Sequence, residues 1–330
     1  MQIDLRTVSI TPLRNTFDTV AKRLGGDKPA SRYQEGTWDV QAKVNYHYRP
    51  TWDPQHHMFD PARTAIKMQD WYAFKDPRQF YYGSWTQSRA RLQETAEADF
   101  DFVESRGLVA SLPDDVRQLA LDLYVPLRHV EWGANMNNAS ICAYGYGTAL
   151  TAPAEFQAMD RLGSAQYLSR VGLVLGDQKD LAAAKAAWLD DPKWQGLRRL
   201  VEDSFVVRDW FELYVAQNLV IDGLLFPLFF QRLDDHLTQT AGPVIGMLTR
   251  FQAEWFADAG KWVDATVKTA AAESAANKAQ LEAWAKAYLA RAVEALTPIL
   301  AHALGDATAE SVEEAVGQFK TRCAKLGLAI

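Results

Sequence analysis

Residues 200–236 read "LVEDSFVVRDWFELYVAQNLVIDGLLFPLFFQRLDDH", and in the second half a helix drawn on them is apolar on nearly every face. A helix without a polar stripe cannot rest on a surface; it has to be surrounded, inside a bundle or inside a membrane. The longest apolar run within it, "LVIDGLLFPLFF", is interrupted by Asp222 and Pro227 and falls short of the roughly 20 residues a bilayer core requires. The stretch is therefore expected to be a buried central helix, and the chain must supply other helices to cover it.

Those helices are legible on both sides. "WTQSRARLQETAEADFDFVESRG" ends at Gly107, a plausible C-cap. A second helix opens with Ser111, Pro113 and two acids, runs to about residue 145, and should kink at Pro126, where a backbone hydrogen bond is lost. A third is expected over 154–175, a short one over 182–189 and another over 239–270. Leu281, Trp284, Tyr288, Leu296 and Leu300 form an apolar stripe on the next, and the last carries acids in its first turns, bases in its final ones and Gly327 as its stop. Strand patterns are scarce, so the expected class is all-α, with a helical domain over residues 86–330.

Residues 1–85 have a different character. Aromatics are dense from Tyr33 to Trp85, while Pro50, Pro54, Pro61 and Pro77 leave no long helical period intact. This reads as an extended arm with short helices. Trp, Tyr and Arg dominate interface hot spots, and so large an apolar surface cannot stay bare. The arm is expected to lie across its own helices or to wrap a partner; Tyr46, Tyr48, Trp52, Trp71, Phe80, Tyr81, Tyr82 and Trp85 are the candidate subunit-interface residues.

The formal net charge of −6 over 330 residues recommends neither nucleic acid nor an anionic membrane as a partner. Cys142 and Cys323 stand far apart in sequence and suggest a reducing compartment. Asp4 and Arg6 interrupt the apolar stretch a signal peptide would need, so a cytoplasmic location is expected.

A long-helix bundle with polar residues inside invites a metal hypothesis. Di-iron carboxylate bundles take a Glu from each of two helices and Glu-x-x-His from each of two others. Three residues before His47, His57, His129, His236 and His302 stand Val44, Pro54, Pro126, Leu233 and Ile299; only His56 has an acid there, Asp53, in a loop-like "DPQHH". The requirement fails on every helix, and no metal ligand set is expected in this chain. What remains is a polar setting: Glu131 with Asn135 and Asn138 on one face, and Asp160 on the following helix with Gly163 three residues on. It reads as a hydrogen-bonded polar network in the bundle interior, as a solvated face, or as a degenerate ligand site at Glu131, Asp160 and Gly163. His47, His56, His57, Asp53 and Asp60 could alternatively assemble a metal site in the arm, which would make the chain a self-standing metalloenzyme with a divergent carboxylate site.

"YHYRPTWDP" (46–54), "DPRQFYYGSWTQSR" (76–89) and the run of long helices after them resemble the β subunit of bacterial multicomponent monooxygenase hydroxylases, most of all the phenol hydroxylase branch and next the toluene/o-xylene type. The likeness implies a ferritin-like bundle with extra C-terminal helices. It implies an (αβγ)2 hydroxylase that turns phenol into catechol with O2 and NADH-derived electrons, served by a reductase and a small regulatory protein. In such an assembly the di-iron centre belongs to the α subunit, and β is a non-catalytic structural chain without cofactor. Asp160 and Gly163 would then match the Glu-x-x-His of an α-subunit helix and Glu131 the single Glu before it, with Glu212 and Glu254 open candidates for the remaining helices.

Overall fold

A computed structural model of the chain describes residues 12–41 and 49–330. Among the described residues every regular element is helical. Two short helices, α1 (Asp18–Leu24) and α2 (Arg32–Thr37), lie in the arm. The body begins with α3 (Tyr82–Ser105), followed by α4 (Asp114–Tyr124) and α5 (Leu127–Tyr144), which break where Pro126 was expected to act. After Gly147, at φ +87°, comes α6 (Thr148–Leu175), then α7 (Gln178–Asp190) and α8 (Pro192–Ser204). The long apolar segment is α9 (Trp210–Ala241), and α10 (Val244–Glu273), α11 (Ala275–Leu304) and α12 (Thr308–Lys325) complete the chain.

By length and composition α9 could cross a membrane, but 94% of its most apolar window is buried inside the protein. It is the hub of the bundle, in contact with α5, α10, α11 and α12. It also starts later than its sequence period suggests. Asp209 accepts hydrogen bonds from the backbone N–H of Phe211 and Glu212 at 2.9 and 3.2 Å, and this cap separates α8 from α9. Helix α6, conversely, starts six residues before Ala154, because Pro153 falls early in the helix and interrupts only one bond.

Two segments of α9, Val215–Ile221 and Leu228–Leu233, are π-helical. In a regular α-helix, residues five apart point away from one another. The wider π turn brings Gln217 and Asp222 together, with Nε2 donating to Oδ1 at 2.9 Å.

The arm shares the core of the body. Trp71 packs on Trp210 at 5.6 Å and Phe74 on Phe211 at 6.2 Å between ring centroids. Arg78, nearly inaccessible, pairs with buried Asp76 at 3.0 Å and reaches toward Asp258 on α10 at 3.6 Å. Asn277 holds Lys67 by both backbone groups, at 3.0 and 2.8 Å. This corrects two of the interface candidates: Trp71 and Phe80 are buried within their own chain. Phe74→Ala should accordingly lower stability by about 3–5 kcal/mol through loss of a buried ring, whereas Trp52→Ala should stay within about 0.5 kcal/mol. Denaturant unfolding of the two variants checks this; equal effects would mean that the arm is not part of the core.

Candidate functional site

Helices α5 and α6 run side by side, and the polar centre lies where they meet α9 and α10. Glu131 on α5 is 1% exposed. Across from it stands Arg161, with no exposed surface, its Nε 3.3 Å from Glu131 Oε2 and its Nη2 2.5 Å from Asp222 Oδ1 on α9. The guanidinium carbon lies 4.7 Å from the ring centroid of Trp255 on α10 and 5.3 Å from that of Phe226 on α9. Three residues beyond Arg161, buried Ser164 accepts from Gln252 Nε2 on α10 at 3.4 Å.

These contacts define a layout: one acid each from α5 and α9, and a pair three residues apart from each of α6 and α10, Arg161 with Ser164 and Gln252 with Trp255. That is the geometric pattern of a carboxylate-bridged di-iron bundle. The donor set does not fit a metal pair. Neither i,i+3 pair contains a carboxylate or an imidazole, and a cation already separates the only two acids. Among the described residues no group of three or more His, Cys, Asp or Glu side chains could hold a metal ion.

The expected frame on α6 was one residue early. Asp160 is buried, but it is turned away from Glu131 and accepts from Trp85 Nε1 at 2.9 Å, from Trp255 Nε1 at 3.0 Å and from Arg89 Nε at 2.9 Å. A Cβ placed on Gly163 would meet nothing within 4 Å, and the residue lines a separate cleft of about 330 Å³ with Trp85, Arg89 and Tyr167. On a helix, adjacent residues diverge by about 100°, so a sequence match to an acid selected the wrong face. Glu212 accepts from Tyr288 at 2.9 Å and Glu254 pairs with Arg250 at 2.6 Å; neither contacts the centre.

An amide network extends the site. Asn137 donates to Gln217 and Ser204, both at 2.8 Å, and Asn218 donates to Asn138 at 3.0 Å. Asn135 instead donates to the Ala158 carbonyl at 2.8 Å. Sequence periodicity placed Glu131 and Asn138 near one another, but the α9 partners were hidden because the π turns change which residues share a face.

Among the described residues of the arm no metal cluster assembles. Asp53 is bound by Arg63 and by His56 Nδ1, the latter at 2.9 Å, while Asp60 caps a turn through Ala62 N–H at 2.8 Å. His47, Tyr46 and Tyr48 lie outside the described residues. Trp52 and Tyr82 are 69% and 70% exposed, Tyr81 is half-buried, and Trp85 is stacked on Phe156 at 5.1 Å. Burial pushes the thiols of Cys142 and Cys323 up to about 12, so both are poor nucleophiles at neutral pH.

One guanidinium serves two buried acids. Burial raises both, and Glu131, the more distant from Arg161, is pushed up to about 7 while Arg161 holds it down in part. In the unfolded chain Glu131 titrates near 4.5. Between these values the folded state binds the extra proton, so this contribution to stability is complete below about 4.5 and is lost as pH rises through about 7. Glu131→Gln carries no such proton. Its stability relative to wild type should improve between about pH 5 and about pH 8 in paired urea titrations; a constant gap would refute the assignment.

The comparisons with known proteins agree with this geometry. The family described as Methane/Phenol/Alkene Hydroxylase matches residues 52–274. The chain is 51% identical over 330 residues to the phenol 2-monooxygenase oxygenase component DmpL of Pseudomonas sp. (strain CF600), covering 99% of this chain and 98% of that one. The crystal structure of xenon-pressurized phenol hydroxylase from Pseudomonas sp. OX1 contains a chain that superposes with a TM-score of 0.93 at 42% identity, over 99% of both. A chain of toluene 4-monooxygenase, at 20% identity and a TM-score of 0.73 over 94% of this chain and 100% of that one, shares the fold. The layout of four helices around one polar centre and these matches lead to one conclusion: the chain belongs to the methane/phenol/alkene hydroxylase family.

Proposed function

We propose that this chain is the non-catalytic β-type subunit of a multicomponent phenol hydroxylase, a structural partner in an (αβγ)2 assembly whose α subunit carries the di-iron centre. In this reading the complex inserts one oxygen atom of O2 into phenol to give catechol. Electrons come from NADH through a reductase, and a small regulatory protein acts on the complex in the cytoplasm. The observation that carries the proposal is Arg161, a guanidinium lodged between Glu131 and Asp222 in a four-helix layout otherwise suited to a metal pair. The 51% identity to a phenol 2-monooxygenase component favours phenol over the toluene branch.

The surface supports a role in assembly. Trp52, Tyr82, Trp132, Met136 and Val206 are large apolar side chains between 46% and 78% exposed, the kind of surface obligate subunits bury. In this reading Trp52 and Tyr82 of the arm project toward the α subunit, while Trp71 and Phe80 anchor the arm to its own body.

Iron content and molar mass from one column run provide the test, on the chain alone and after co-expression with its neighbouring hydroxylase genes. Iron confined to the larger assembly is the expected outcome. Stoichiometric iron in the isolated chain would overturn the proposal. Trp52→Ala should weaken assembly by about 1 kcal/mol or more, seen as a reduced yield of complex at unchanged stability of the chain; an unchanged yield removes Trp52 from the interface.

A further inference from the structure

We propose that Arg161 is the resident cation of the four-helix centre, filling the place and the charge role that a metal pair holds in a carboxylate-bridged centre of the same layout, and thereby keeping divalent metal out. The inference deepens the reading above, resting on it for the absence of metal from this chain.

Three observations carry it. The first is position. Arg161 and Ser164 face Gln252 and Trp255 across α6 and α10, with Glu131 and Asp222 closing the ring, so the guanidinium lies at the meeting point of all four helices. The second is charge. Glu131 and Asp222 are 1% and 3% exposed, and acids so deeply buried require a partner. The ion pairs drawn to both come from Arg161, while Arg322 adds only a longer-range attraction to Asp222.

The third is the lining. Trp255 and Phe226 present ring faces to the guanidinium, a contact that suits a flat, weakly hydrated cation and offers a metal no lone pair. Trp255 occupies a position of an i,i+3 pair where a metal site would need an imidazole, and its N–H is engaged outward with Asp160. A divalent ion could therefore enter between the acids only by displacing a side chain that has no exposed surface.

The test compares thermal midpoints of the full chain in three forms: wild type, Arg161→Met, and the triple variant Glu131→Gln/Arg161→Met/Asp222→Asn. Loss of the cation alone strands two buried acids and should lower the midpoint by about 5–10 °C, or leave no folded chain. The triple variant keeps the apolar replacement and removes the stranded charges, so it should recover at least half of the loss. A wild-type midpoint for Arg161→Met would overturn the proposal. So would a triple variant no better than the single one, since Arg161 would then act through packing.

Cobalt(II) provides an independent readout. Wild type should give no cobalt-dependent visible absorption. A cobalt spectrum in wild type that Glu131→Gln abolishes would overturn the proposal, because the centre would then admit metal beside the guanidinium. The unfolding comparison uses this chain alone, so its failure would leave the iron distribution of the assembly untouched. Iron in the isolated chain would instead strike at the functional reading.

Discussion

Burying a guanidinium completely is costly, and the chain does so at Arg161 by gathering its compensation from three other helices. An acid comes from α5, another from α9, one aromatic face from α9 and another from α10. Glu131, Arg161, Asp222 and Trp255 come from four separate stretches of the chain, so the ion pairs form only when α5, α6, α9 and α10 are in register. A slip of one residue along any of them would leave a charge without its partner in a low-dielectric interior. The polar centre therefore specifies the alignment of the bundle, while the surrounding apolar contacts, which are non-directional, supply most of its driving force.

A second carboxylate shows how such a centre is bounded. Asp160 is adjacent to Arg161 in sequence and serves a different set of partners, drawing the indole N–H groups of Trp85 and Trp255 and the guanidinium of Arg89 to one point. Trp255 belongs to both neighbourhoods: its ring face meets Arg161 and its N–H meets Asp160. One rigid side chain thus couples the interior centre to α3, and α3 continues directly from an arm already anchored by Trp71, Phe74 and Arg78.

Much of the fold could be read from periodicity: the central apolar helix, the break at Pro126, and the amphipathic helices after it. Boundaries set by a single hydrogen bond were less visible. Asp209 divides α8 from α9 by capping, and the apolar pattern on either side conceals it. The site was half legible. Glu131 stood out as an acid within a helix, and the missing histidines could be counted. The search for an acid next to a vacant histidine position then selected Asp160 and Gly163, when the interior face carries Arg161 and Ser164. An arginine looks like a surface residue in a sequence, and only the acids opposite it reveal a buried role. Gln217, Asn218 and Asp222 were hidden for another reason: π turns have no signature in the amino-acid pattern, yet they decide which side chains of α9 face inward.

The burial of α9 has a consequence for the order in which the protein is made. Its α5 face meets a helix synthesised earlier, whereas α10, α11 and α12, which cover the rest, follow it on the chain. At ordinary translation rates, completing residues 242–325 takes on the order of ten seconds. During that interval a 32-residue segment apolar enough to pass for a membrane span is only partly covered. Birth of this subunit thus includes a stage in which its most hydrophobic helix is exposed to chaperones, to membrane-targeting factors and to other nascent chains, and the three C-terminal helices bring that stage to an end.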